Sequence, residues 1–334
     1  MSSTGSHLPG PPEDPARQPS RWRKWRRLSA WALFILTIFV SLGIFRLTKD
    51  PEPTFAHRHG SLSTLEVQSS KGSVDYRSEL LRLTSSSGLS FEMALRVPLR
   101  PPGRLPLVVV LGGHRTGRDA IDLIPELETA AVAALSYPFD GEHRLKGLEV
   151  VAALPKIRRA LLDSPIALSL ALDHLLAQPW VDPSRVELVG ISLGAPVACV
   201  AGARDQRFSR VWSIHGGARL RAMIDFNLRE DFPSSLLRTP LSAFGGLLVA
   251  QLEPTKFVHR ISPRPFVMIN AEEDEKIPLE SVEALFQAAR EPKEEIWLPG
   301  AHIRPGRKEV VRELLGLVME RMERSTSADS YGVS

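Results

Sequence analysis

Short apolar runs that alternate with helical stretches restrict this chain to one fold class. Leu105–Leu111 reads Leu-Pro-Leu-Val-Val-Val-Leu without polar alternation. That is the pattern of a strand buried on both faces, as in a parallel sheet covered by helices. Ala131–Tyr137, Val186–Ile191, Val211–Ile214, Phe266–Ile269 and Ile296–Leu298 read the same way. Helical patterns intervene over Arg118–Glu128, about Val150–Ala177, Ala195–Ala203, Leu279–Ala289 and Arg307–Glu323. Ahead of them, Ser73–Thr84 and Ser90–Val97 flank Ser85-Ser86-Ser87-Gly88 and predict an antiparallel hairpin. The expected fold class is therefore α/β, a mostly parallel sheet with antiparallel N-terminal strands and flanking helices. No internal repeat is visible.

Composition narrows the function classes. The 334 residues are 43% hydrophobic and 24% charged, enough apolar side chains for a large core. The net charge of +4 is not spread evenly: residues 1–50 carry eight Lys/Arg and three Asp/Glu, the rest 34 and 35. The folded part thus has no basic excess, and no nucleic-acid partner is expected. Cys199 is the single cysteine, so no intrachain disulfide can form; on a helix of small residues it reads as a buried apolar group.

The basic excess sits beside an apolar run. Residues 1–20 are rich in Pro, Ser and Gly, and 1–27 as a whole is expected to be a disordered basic tail. Within it, Arg21–Arg27 interleaves five cations with Trp22 and Trp25. Leu28–Phe45 then runs 18 residues without a charge. A bilayer-spanning helix needs about 17–25 such residues. Residues 28–47 are expected to be that helix, in contact with the lipid bilayer. Its flanking cations would stay cytoplasmic and the remainder would lie outside the cytoplasm, in the periplasm if the source is bacterial. The alternative is a cleaved signal and a secreted product, with the Arg26-Arg27 pair hinting at a twin-arginine signal. Residues 48–65 read as a short linker, in which the His57/His59 pair lacks further metal ligands.

The strongest chemical signal is Gly190-Ile191-Ser192-Leu193-Gly194, between the apolar run Val186–Val189 and the small-residue stretch Ala195–Ala201. Strand, sharp turn and helix is the context in which a G-x-S-x-G serine is forced out on an elbow. A serine hydroxyl is a weak nucleophile at neutral pH and needs a base, and that base needs an orienting acid. His302 follows the last apolar strand in Leu298-Pro299-Gly300-Ala301-His302. Asp274 follows Phe266–Ile269, with Glu272 and Glu273 as fallback acids. All three lie at C-terminal ends of expected strands, where open α/β sheets gather their sites. An oxyanion would be met by the backbone N–H of Leu193 and by that of Gly113 or His114 in the loop after Leu105–Leu111. His114 and Arg115 could alternatively touch substrate.

On these residues, about 73–324 resembles the α/β-hydrolase superfamily, nearest its dienelactone-hydrolase-like and acetyl-esterase-like branches. The resemblance is carried by Val181–Gly194, the Asp274 segment ending Ile277-Pro278, and Gly300-Ala301-His302. It implies a catalytic triad of Ser192, Asp274 and His302 in the family's chain order and no cofactor or metal. Dienelactone hydrolases use a cysteine nucleophile, so their substrate is not implied. Many members have His-Gly after the third strand, whereas this chain has Gly112-Gly113-His114. The expected hydrolase domain is 66–325, with 217–262 either a cap or helices packed on the sheet, and 326–334 a disordered tail. The expected activity is hydrolysis of small-molecule carboxylic esters through an acyl-enzyme. A peptidase or thioesterase on the same triad, and an inactive binding module, are the alternatives.

Overall fold

A computed structural model describes residues 21–101, 103–113, 116–124, 127–141, 148–304, 306 and 308–331. The chain divides into two units, Met1–Arg46 and Leu47–Ser334. The first is dominated by helix α1 (Arg21–Thr48), which runs on into Leu47 and Thr48. α1 begins at Arg21, so residues 21–27 are helical rather than a disordered tail; 1–20 lie outside the described residues. Leu33, Phe34, Leu36 and Phe45 are exposed, and Trp31 meets Phe34 edge-on at 5.9 Å. Trp31–Thr48 is long and apolar enough to cross a membrane.

In the second unit, residues 48–65 depart from the linker reading. They contain helix α2 (Glu52–His59) and the start of strand β1 (Leu62–Gly72). Phe55 of α2 is buried under the Arg204 guanidinium, 4.4 Å from the ring centroid. Arg58 grips Asp163 with two hydrogen bonds, and Glu52 accepts from Arg204 and Arg260. Such contacts over distant sequence are invisible in a local pattern of polar residues.

Nine strands form one sheet in the order β1-β2-β3-β5-β4-β6-β7-β8-β9. After β1 come β2 (Tyr76–Ser85), β3 (Ser90–Pro98), β4 (Leu105–Leu111) and β5 (Ala131–Leu135). Next are β6 (Val181–Ile191), β7 (Arg210–Ile214), β8 (Phe266–Glu273) and β9 (Lys293–Ala301). The β1–β2, β2–β3 and β3–β5 pairs are antiparallel; all from β5 through β9 are parallel. The expected hairpin is β2–β3.

The continuous apolar strands are buried twice over. Along β4, Leu107, Val109 and Leu111 join one core, and Val108 and Val110 join the other. Helices α3 (Leu148–Leu176) and α4 (Gly194–Arg204) contribute to the first core. α8 (Lys308–Tyr331) contributes Val311, Leu314, Leu315 and Val318 to the second. α8 runs to Tyr331, so most of 326–334 is helical rather than a disordered tail; 332–334 lie outside the described residues.

The expected helix Arg118–Glu128 is only a 3-10 turn over Gly117–Asp122. Ile124 precedes Pro125, whose ring disfavours helical backbone in the residue before it. The 217–262 insertion holds α5 (Leu220–Asn227), α6 (Ser235–Val249) and three 3-10 turns; α7 (Leu279–Ala288) follows β8. Glu253 accepts from the N–H groups of Arg219 and Leu220, satisfying donors at the start of α5.

Candidate active site

Ser192 stands between the last residue of β6 and the first turn of α4. Its φ of 55° lies in the left-handed region, costly for a residue with a Cβ. The conformation is held from both sides. The Ser192 N–H donates to the Ile214 carbonyl at 2.9 Å, and its own carbonyl accepts from Ala195 N–H at 3.0 Å. α4 approaches so closely that a Cβ on Gly194 would fall on the Leu111 carbonyl, and one on Gly190 would lie 2.5 Å from Ala198 Cβ. The two glycines of the pentapeptide are therefore required by contact.

The sequence-predicted partners converge on this serine. Ser192 Oγ lies 2.8 Å from His302 Nε2, and His302 Nδ1 lies 2.9 and 2.8 Å from the Asp274 carboxylate oxygens. Gly300, at φ 113°, permits the turn that brings His302 back toward Ser192. Asp274 Oδ1 also accepts from the N–H groups of Lys276 and Ile277, at 2.8 and 2.9 Å. The fallback acids Glu272 and Glu273 are exposed at the end of β8. The arrangement can draw the hydroxyl proton onto imidazole while the carboxylate holds the ring's other N–H.

Two residues at this site escape sequence reasoning. His215, just past β7, has φ 48° and is 3% exposed. Its Nδ1 accepts from Ile303 N–H at 3.0 Å, its ring meets that of His302 at 5.3 Å, and Nδ1 is 3.5 Å from Asp274 Oδ2. Burial pushes its pKa down to about 4, against the opposing pull of Asp274. The neutral ring thus carries its proton on Nε2. Glu275 accepts from His302 N–H at 2.9 Å and from Arg304 Nη2 at 2.6 Å. Burial would raise its carboxyl, but the bonds from Arg304 and the His302 amide outweigh that and hold it down at about 2. One signal was available for His215: it too ends a parallel strand.

His215, Asp274 and His302 offer ligand atoms within 4.8 Å of one another, which invites a metal. Their donors are already committed. His215 Nδ1 is taken by the Ile303 amide, His302 Nε2 by Ser192, and His302 Nδ1 by Asp274. Asp274 Oδ1 is further occupied by two amides. The cluster fits a proton relay better than an ion.

Of the expected oxyanion donors, Leu193 is the N-cap residue of α4, and Gly113 lines a cavity together with Ser192 and His302. The alternative donor His114, and Arg115, lie outside the described residues. Tyr137, its hydroxyl pKa raised by burial, donates to the Gly112 carbonyl at 2.7 Å and braces this loop. Cys199 is buried, and desolvation pushes its thiol up to about 12, as an inert core residue requires.

No family model matches the chain. Uncharacterized protein YfhR of Salmonella typhi is 29% identical over 139 residues, 40% of this chain and 45% of that protein. The YfhR of Salmonella typhimurium is 30% identical over the same length. The matched part thus spans about half the length of these curated relatives. Among solved structures, acetyl xylan esterase 1 from Thermoanaerobacterium sp. JW/SL YS485 matches with TM-score 0.58 and 16% identity, over 82% of this chain and 93% of that one. Acetyl xylan esterase from Paenibacillus sp. R4 gives TM-score 0.58 and 16% identity, over 80% and 90%. The α/β hydrolase GrgF from Penicillium sp. sh18 gives TM-score 0.52 and 18% identity, over 74% and 98%. Sheet order, strand-end placement of the serine and these likenesses agree: the chain has the α/β-hydrolase fold, shared with these acetyl xylan esterases.

Proposed function

We propose that this protein is a serine hydrolase of carboxylic esters. The observation that carries the reading is the unbroken relay from Ser192 Oγ through His302 to Asp274. Ser192 Oγ attacks the ester carbonyl carbon while its proton passes to His302 Nε2. Asp274 orients the imidazole and stabilises its charged form. The backbone N–H groups of Leu193 and Gly113 receive the oxyanion. As the tetrahedral intermediate collapses, the carbon–alkoxy bond breaks and His302 returns the proton to the departing alcohol. Water then repeats the sequence, giving a carboxylic acid and free Ser192. His215 is a positioning residue: it holds the Ile303 amide and backs the His302 ring. The likeness to solved acetyl xylan esterases favours the ester reading.

Replacing Ser192→Ala in the full chain lowers turnover of p-nitrophenyl acetate by about 10⁴-fold or more, with an unchanged circular-dichroism spectrum. Residual turnover within tenfold of wild type overturns the reading.

The same proposal holds the enzyme at a membrane through α1, with the N-terminus cytoplasmic and the hydrolase unit outside. The length and apolar character of Trp31–Thr48 and the cations of Arg21–Arg27 support it. Full-length protein then pellets with membranes after carbonate washing, and externally added protease degrades the unit beyond residue 47 in spheroplasts. A soluble product lacking the first 45 or so residues contradicts the anchor.

A further inference from the structure

Ser192 borders a cavity of about 170 Å³ whose walls are mainly aliphatic. Val110, Ala120, Ile124, Ile191, Val311 and Leu315 supply much of that aliphatic wall. All except Ile191 are members of the second core, and Ile191 packs against that core. The cavity is therefore an interruption of a packed layer. Two polar side chains in its lining are already engaged: the Thr116 hydroxyl donates to Gly113 O at 2.9 Å, and Arg304 is bound to Glu275. Water needs two to four polar partners to occupy such a space stably, whereas an apolar group needs none.

The segment Gly117–Asp122 forms a 3-10 turn, and its Ala120 lines the cavity. Beyond it, Leu123 and Ile124 line the cavity.

We propose that this cavity receives the acyl chain, making the substrates esters of apolar acyl groups of up to roughly six carbons. An apolar cavity of about 150 Å³ takes up benzene, so one of this size holds about six carbons. The inference rests on the ester-hydrolase reading above. The acyl group is the assigned occupant because its carbonyl carbon is bonded to Ser192 Oγ throughout the acyl-enzyme. The alcohol, in contrast, departs as the acyl-enzyme forms and gives way to water; because His302 lines the same cavity, the alcohol series below is the discriminating control. An aliphatic recess fits the part that stays, and each buried methylene raises kcat/KM about fourfold until the recess is full.

The test measures kcat/KM of the full chain on p-nitrophenyl esters from acetate to decanoate, and on a second series of acetates with alcohols of increasing length. The expected result is a rise to hexanoate, a fall of tenfold or more by decanoate, and a variation under about threefold across the alcohol series. Ala120→Leu lowers the hexanoate-to-acetate ratio at least tenfold, and Val311→Ala moves the optimum to octanoate. Labelling by a fluorophosphonate reports that each variant retains a formed site; if Ala120→Leu does not label, Val311→Ala reads the same ratio in the opposite direction. Length selectivity that follows the alcohol, or a ratio that neither variant moves, overturns the cavity assignment while leaving the hydrolase reading intact. Absence of turnover on every ester, with no labelling of wild type, overturns the hydrolase reading itself.

Discussion

Ser192 and His302 meet at 2.8 Å, yet they are held there by different forces. The serine stands on backbone fixed by close contact: α4 lies against β4 and β6 through Gly190 and Gly194, with no room for a methyl group. His302 stands on a loop fixed by polar bonds from Asp274, Glu275 and His215. Contact of the first kind is insensitive to pH and fails abruptly when an atom is added. Hydrogen bonds of the second kind are lost one at a time and depend on protonation. The serine half should therefore respond to substitutions all or none, and the histidine half in graded steps.

The sharpest way to break that contrast is Gly194→Ala. Its Cβ would fall on the Leu111 carbonyl, and neither backbone can yield without moving β4 or α4. A cost of about 3 kcal/mol or more follows for such overpacking, which lowers Tm by roughly 6–12 °C for a unit this large. Ester turnover and fluorophosphonate labelling fall together. Gly113→Ala is the internal control, because a Cβ there meets nothing within 4 Å among the described residues, and its Tm stays within about 2 °C. Equal Tm values for the two variants in thermal melts would remove the argument that closeness fixes the serine.

The same division explains what could be read in advance. Contact between strand and helix leaves a local trace, so Gly190, Ser192 and Gly194 were legible as five consecutive residues. Asp274 and His302 were legible through chain order and their places after successive apolar strands. The bracing groups were not. His215 and Ile303 are 88 residues apart, and nothing in either neighbourhood announces that one accepts from the other. α2 was missed for the same reason, since Phe55 and Arg58 find their partners on α3 and α4. Gly117–Asp122 forms only a 3-10 turn where the pattern predicts a helix, because apolar spacing carries no record of the constraint a proline places on the residue before it.

A smaller effect probes the histidine half. His215→Asn keeps an acceptor for the Ile303 amide and suits the left-handed backbone at this position; His215→Ala keeps neither. The Ala variant is expected to lose about 10- to 100-fold in kcat with little change in KM, and the Asn variant to recover most of it. A purely structural role would instead lower the amount of folded enzyme without altering kcat per labelled site. The pH dependence of stability adds a second readout. Asp274, His302 and Glu275 all act on His215, and burial leaves its pKa at about 4, below the ordinary histidine value near 6.5. The folded state therefore binds fewer protons than the unfolded chain between those values. The stability it contributes is complete above about pH 6.5 and declines as pH falls toward 4. Thermal melts of wild type should show this decline, and melts of His215→Asn should show it reduced, because the titrating group is gone. An undiminished slope in His215→Asn assigns the acid sensitivity to other groups and removes His215 from the polar half of the comparison.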